Sequence, residues 1–172
     1  MPTGLSYAGS GIKFIFADVN GGPWSDILSY DPDSSAFPTL FEGDLIQATG
    51  YIYEYTTGPA NMTELFITEP INIMDFEQPL PVIDTVQTGD LRWPTEAEQW
   101  GNVMVRVEDA VVTGNDFQYE VFAADDGSGS VLVDDDSDSV AAVFDVLELL
   151  RNKKLGYSAI LIQKNASYAP DA

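Results

Sequence analysis

The sequence predicts an all-β fold, a barrel or sandwich of short strands, with one helix near the C-terminal end. Three observations carry that expectation. Short runs rich in aromatic and β-branched residues recur between residues 12 and 133, and Gly, Pro, Asn or Asp separates them. After Ser139 the pattern changes, and apolar residues fall at helical spacing over 140–152. The chain is 45% apolar and 12% aromatic, which is too apolar for a disordered acidic chain even at a net charge of −21. That charge therefore lies on the surface of something folded.

In chain order, strands are expected over 12–17 (IKFIFA), 25–30 (SDILSY), 44–55 (DLIQATGYIYEY), 64–68 (ELFIT) and 71–74 (INIM). Residues 76–90, FEQPLPVIDTVQTGD, hold two prolines and little periodicity, and read as an extended linker. A second β series covers 103–112 (VMVRVEDAVV), 117–123 (FQYEVFA) and 129–133 (GSVLV). The helix over 140–152 has Ser139 at its N-cap, and Lys153 and Lys154 complement its C-terminal dipole. A last strand is expected over 157–162. These elements divide the chain into a first β module (1–75), a linker (76–100), the early strands of a second module (101–139) and a divergent helical tail (140–172). The modules echo one another: residues 14–35 and 120–139 share an aromatic strand, an acidic Gly-rich turn, a short apolar strand, then Asp and Ser. Two such copies point to duplication of a module.

Composition narrows the chemistry. Residues 1–150 hold 27 acids against Lys13, Arg92 and Arg106, a balance of −24, and the other four bases sit in the tail. Nucleic-acid binding depends on Lys and Arg displacing phosphate counterions, so nucleic acid is an unfavoured partner. Calcium or a cationic partner fits better. With no cysteine and no histidine, disulfides, thiolate zinc sites and His-dependent nucleophilic catalysis are all excluded. No apolar run reaches the ~18 residues of a membrane span, so no membrane partner is expected. The first residues have no basic start or apolar core of a signal peptide, which places any secretion signal outside this chain.

The stretches GLSYAGSGIKFIFAD, GGPWSDILSY, FEGDLIQATGYIYEY, TELFI, EQWGNVMVRVEDAVVTG and DDGSGSVLVDD together resemble tandem OB-fold (oligonucleotide/oligosaccharide-binding) modules. Such modules occur in large secreted bacterial proteins, including extracellular nucleases and sorted surface proteins. The resemblance covers roughly residues 4–139. It implies an OB-fold-like Greek-key barrel of short antiparallel strands, an extracellular or cell-surface location, and a non-catalytic accessory role as spacer, ligand-binding or assembly unit. The alternative role is binding of an oligosaccharide or nucleic acid on an aromatic strand face. In these modules a valine-rich strand opens the barrel and an acidic hairpin follows. Here residues 101–111 match that opening strand for the second module, whereas the first begins at its hairpin, and the tail from 140 departs from the pattern. The expected consequence is completion of the first barrel by 103–112, within one chain or by exchange between copies, giving a strand-exchanged dimer or higher oligomer.

Three sets of residues are candidates for function. Tyr51, Tyr53 and Tyr55 alternate on one strand and so share a face, where they form either packing surface or a stacking platform for sugar or bases. Trp24, beside Pro23 in the first turn, is either tucked under the barrel or offered to a ligand. Asp125 and Asp126 precede Gly127 and Gly129, while Asp134, Asp135, Asp136 and Asp138 follow the next strand. The glycines are fully explained by a hairpin. The carboxylates exceed what a turn needs, and a hard cation such as calcium is the expected neutraliser, although the spacing is not that of an EF-hand loop. Among 28 acids no isolated carboxylate pair stands out, so no enzyme activity and no cofactor other than calcium is expected.

Overall fold

The computed structural model describes residues 1–8, 11–57, 60–114, 121–133 and 155–160. The chain is mostly β and divides into two compact units: Met1–Ile83 with Gly101–Val103, and Asp84–Trp100 with the strands from Met104 onward.

In the first unit, β1 (Pro2–Ala8), β2 (Gly11–Ala17) and β3 (Asp26–Asp31) form an antiparallel meander. β3 then pairs in parallel with β6 (Ala60–Ile67), which pairs antiparallel with β5 (Gly50–Thr57), giving the order β1-β2-β3-β6-β5. A separate pair, β4 (Leu45–Gln47) with β7 (Asn72–Asp75), completes the unit's strands. Strict alternation in β2 turns Ile12, Phe14 and Phe16 to one face, where they pack with Leu40, Ile46, Ile71 and Ile67. Phe14 and Ile12 are among the most completely buried side chains of the chain.

The second unit is built on the long strand β9 (Met104–Gly114). It pairs antiparallel with β10 (Phe122–Asp125) and β12 (Leu155–Ile160), and in parallel with the two-residue β8 (Asp84–Thr85). β11 (Val131–Val133) closes a hairpin on β10. Ala110, Phe122 and Ala124 form one buried cluster with Val107, Val112 and Val133 against them, and Val105 of β9 is fully buried as well. Between β8 and β9 lie a 3-10 turn, Thr88–Leu91, the one-turn helix α1 (Pro94–Ala97) and a second 3-10 turn, Glu98–Trp100.

Several expectations need correction. The described strands form open sheets, with no closed barrel among the described residues. β1 was not expected, because Pro2, Gly4 and Ser6 dilute its apolar pattern; it supplies the strand beside β2 that the first module was read as lacking. β9 pairs within the second unit, and no described pairing joins it to a strand of the first. The single strand over 44–55 is two strands, broken at Ala48–Thr49 because β4 and β5 belong to different sheets. The segment read as a linker is pinned at both ends. Gln78 N donates to the Gly43 carbonyl at 2.8 Å, and β8 and the Thr88–Leu91 turn fall within residues 84–91. Prolines and weak periodicity signal irregular backbone, but they carry no information about what that backbone touches. The helix expected over 140–152 lies outside the described residues.

Candidate functional site

The tyrosine row lies on the β5–β6 hairpin. Gly50 opens β5 where the strands approach closely: a Cβ there would sit 2.2 Å from the Phe66 carbonyl oxygen. From that point the register runs without a shift, pairing Tyr51 with Phe66, Tyr53 with Glu64 and Tyr55 with Met62. Directly opposed residues of an antiparallel pair project to the same face, so the three tyrosines share theirs with Phe66 and Glu64. The Tyr51 and Phe66 ring centroids are 5.2 Å apart, and Tyr53 meets both rings edge-on at 6.4 Å. Tyr51 and Tyr55 remain 54% and 49% exposed.

Beneath them is a polar contact. The Tyr53 hydroxyl donates to Glu64 Oε2 at 2.8 Å, and Glu64 is only 5% exposed. That hydrogen bond to the carboxylate, with burial second, pushes the Tyr53 phenol up to about 12. Glu64 lies beside buried Leu28 on β3, its Cα partner across the parallel pairing. The platform thus consists of two exposed rings flanking a fixed phenol–carboxylate pair. Rings of this kind present apolar faces for stacking, and the buried carboxylate holds the central phenol in place between them. On the opposite face, Thr63 donates to Glu54 at 2.6 Å across the same hairpin.

Trp24 is placed differently. It sits in the β2–β3 loop, 69% exposed, with φ at 63°. The loop is organised by Asp18, whose Oδ1 accepts from Asn20 N and Nδ2, both at 2.8 Å. Those two bonds lower the Asp18 pKa. Gly21, at φ 65°, brings the loop backbone against Val82, where a Cβ would lie 3.0 Å from the Val82 carbonyl oxygen. Of the two readings of Trp24, exposure replaces burial. Among the described residues no ring contact joins it to the tyrosine row.

The acidic hairpin of the second unit serves its own backbone. Asp125 Oδ1 accepts from Gly127 N at 2.7 Å and Gly129 N at 3.3 Å. Asp126 Oδ1 accepts from Thr88 Oγ1, Ser128 N and Ser128 Oγ, and its Oδ2 accepts from Thr88 N at 3.1 Å. Ser128 Oγ in turn accepts from Gly89 N at 2.8 Å. Desolvation raises the Asp126 carboxyl, but the bonds from Ser128 and Thr88 outweigh it and hold it at about 2. Of these two aspartates, expected as calcium ligands, Asp126 fastens the Thr88–Leu91 turn to the β10–β11 hairpin, and Asp125 holds the hairpin's own glycine backbone. Among the described residues no group of three or more acids is arranged to hold a metal ion. Asp134, Asp135, Asp136 and Asp138 lie outside the described residues.

Glu64 and Phe66 were not singled out from the sequence. A signal was present in the sequence, since a Gly-Pro pair at 58–59 between two β-type runs reads as a turn, and a hairpin centred there opposes 53 to 64 and 51 to 66. Comparison of the chain with family models, with curated proteins and with solved structures finds no match.

Proposed function

We propose that this chain is a non-catalytic, OB-fold-like accessory module of a secreted or cell-surface protein, and that it binds carbohydrate on the face of Tyr51, Tyr53 and Tyr55. One observation carries the proposal: a row of tyrosines that the fold leaves half exposed while fixing its central member to a buried carboxylate. A packing surface would be covered, and a chance exposed tyrosine would lack the fixed neighbours. The OB-type reading draws support from the first unit's five-stranded open order, in which a three-stranded meander joins a hairpin by one parallel pairing. The repeated hairpin plan of β2–β3 and β10–β11 supports duplication.

Charge selects the ligand class. Residues 1–83 contain 11 acids and one base, Lys13. Anionic glycans and nucleic acid are repelled by such a surface, whereas neutral or amino sugars are not. Native electrophoresis in gels containing hydroxyethylcellulose, xylan, soluble starch or glycol chitosan tests this. Retardation by at least one of these, abolished in Tyr51→Ala/Tyr55→Ala, is the expected result. Unretarded migration in all four, or retardation unaffected by the double substitution, would overturn it.

A further inference from the structure

β5 is the terminal strand of its sheet, with β6 on one side and no strand on the other among the described residues. A free edge presents a row of backbone donors and acceptors, and soluble proteins normally blunt such edges with lysine, proline, a bulge or a short strand. β1, the other edge of the same sheet, carries two of these devices: Pro2 and a register shift between Thr3 and Ser6. β5 carries neither. It is eight residues long, its pairing with β6 runs from Gly50 to Thr57 without a shift, and Glu54 is its single charged residue. Ile52 on its other face is 58% exposed.

We propose that the β5 edge is an isologous pairing site for a second copy of this chain, and that the partner's tyrosines extend the same aromatic face. The register selects itself. A two-fold axis perpendicular to the sheet keeps the tyrosine faces of both copies on one side, and it requires residue i to oppose a residue of the same parity. Two such registers pair seven residues of β5. One is centred on Glu54 and sets that carboxylate against its own copy. The other is centred on Tyr53, sets Tyr53 against the partner's Tyr53 and each Tyr51 against the partner's Tyr55, and places each Glu54 opposite the partner's Ile52. Opposed aromatic pairs stabilise a sheet, while opposed like charges destabilise it, so the Tyr53-centred register wins. The result is a ten-stranded sheet with six tyrosines in one field. The pairing itself needs no ligand; the use of the enlarged field as a single binding platform rests on the carbohydrate proposal above.

The strip at the edge is nearly neutral, but the units behind it are strongly negative, so screening should strengthen the association. Two measurements on the full chain, both without polysaccharide, test the pairing apart from the sugar reading. In sedimentation velocity across a concentration series, a reversible dimer is expected, with an association constant rising roughly three-fold or more between about 0.05 and 0.5 M NaCl. The chain has no cysteine, so single substitutions report register under mild oxidation. Tyr53→Cys faces its own copy at the ~4.5–5.5 Å Cβ separation of opposed residues, close to disulfide reach. Tyr51→Cys and Tyr55→Cys each lie about 13 Å from their own copies. Covalent dimer from Tyr53→Cys alone is the expected outcome. A monomer at all concentrations, a dimer that weakens with salt, or equal crosslinking at the three positions would overturn the proposal.

Discussion

The Tyr53 hydroxyl gives the buried Glu64 carboxylate a donor, and that makes Tyr53 different in kind from its two neighbours in the row. Tyr53→Phe keeps the ring but leaves the carboxylate without this bond, at an expected cost of about 1–3 kcal/mol in urea unfolding. The phenol's pKa is raised in the folded state, to about 12. Its contribution to stability is therefore complete below the unfolded value of about 10 and is lost as pH rises through about 12. In an alkaline absorbance titration, Tyr53→Phe should remove the component that ionises near pH 12. Trp24 gives the opposite expectation. A tryptophan at φ 63° occupies the left-handed region, which costs roughly 1–2 kcal/mol for a residue with a Cβ. Trp24→Gly should consequently leave the melting temperature unchanged or raise it, although a large apolar side chain is lost. A clear fall would show that the indole packs in the fold despite its exposure.

At the scale of elements, the Thr88–Leu91 turn is held to the β10–β11 hairpin through Asp126. Asp126→Ala removes all four hydrogen bonds that its carboxylate accepts and should cost about 2–4 kcal/mol. The Asp126 pKa is depressed on folding, so its contribution is present above about pH 4 and is lost as pH falls through about 2. Acid unfolding of the variant should accordingly show a shallower loss of stability between those values. The same latch shows where sequence reading ends. Glycines and aspartates at 125–129 specify a hairpin locally, and β10 and β11 form it. The Thr88 partner of Asp126 lies 38 residues earlier in the chain, and no local pattern encodes that distance. β2 and β9 were legible from their runs of β-branched and aromatic residues, and β2 is buried on both faces, with Ile12 and Phe14 on one and Ile15 and Ala17 on the other. β1 was missed because its residues alternate weakly, and the 44–55 run was read as one strand because its apolar pattern continues through the break between two sheets. The tyrosine row was legible from a period of two; Glu64 and Phe66, its partners across the hairpin, depended on the pairing register of β5 with β6.

For the whole molecule, charge decides which partners can approach. A net charge of −21 with four of seven bases in the tail predicts no detectable binding of single-stranded DNA at ~150 mM salt, because too few side chains can replace phosphate counterions. Fluorescence anisotropy of a labelled oligonucleotide checks this, and micromolar affinity would show that local basic residues outweigh the global field. The same charge leaves neutral sugars free to reach Tyr51 and Tyr55. Isothermal titration calorimetry with oligosaccharides cut from whichever polysaccharide retards the chain tests the central claim most directly, comparing wild type with Tyr51→Ala/Tyr55→Ala. Saturable binding by the wild type, reduced at least tenfold in the double variant while its unfolding midpoint stays within error, is the predicted result. Equal affinity in both proteins would contradict the assignment of the tyrosine face as the binding surface.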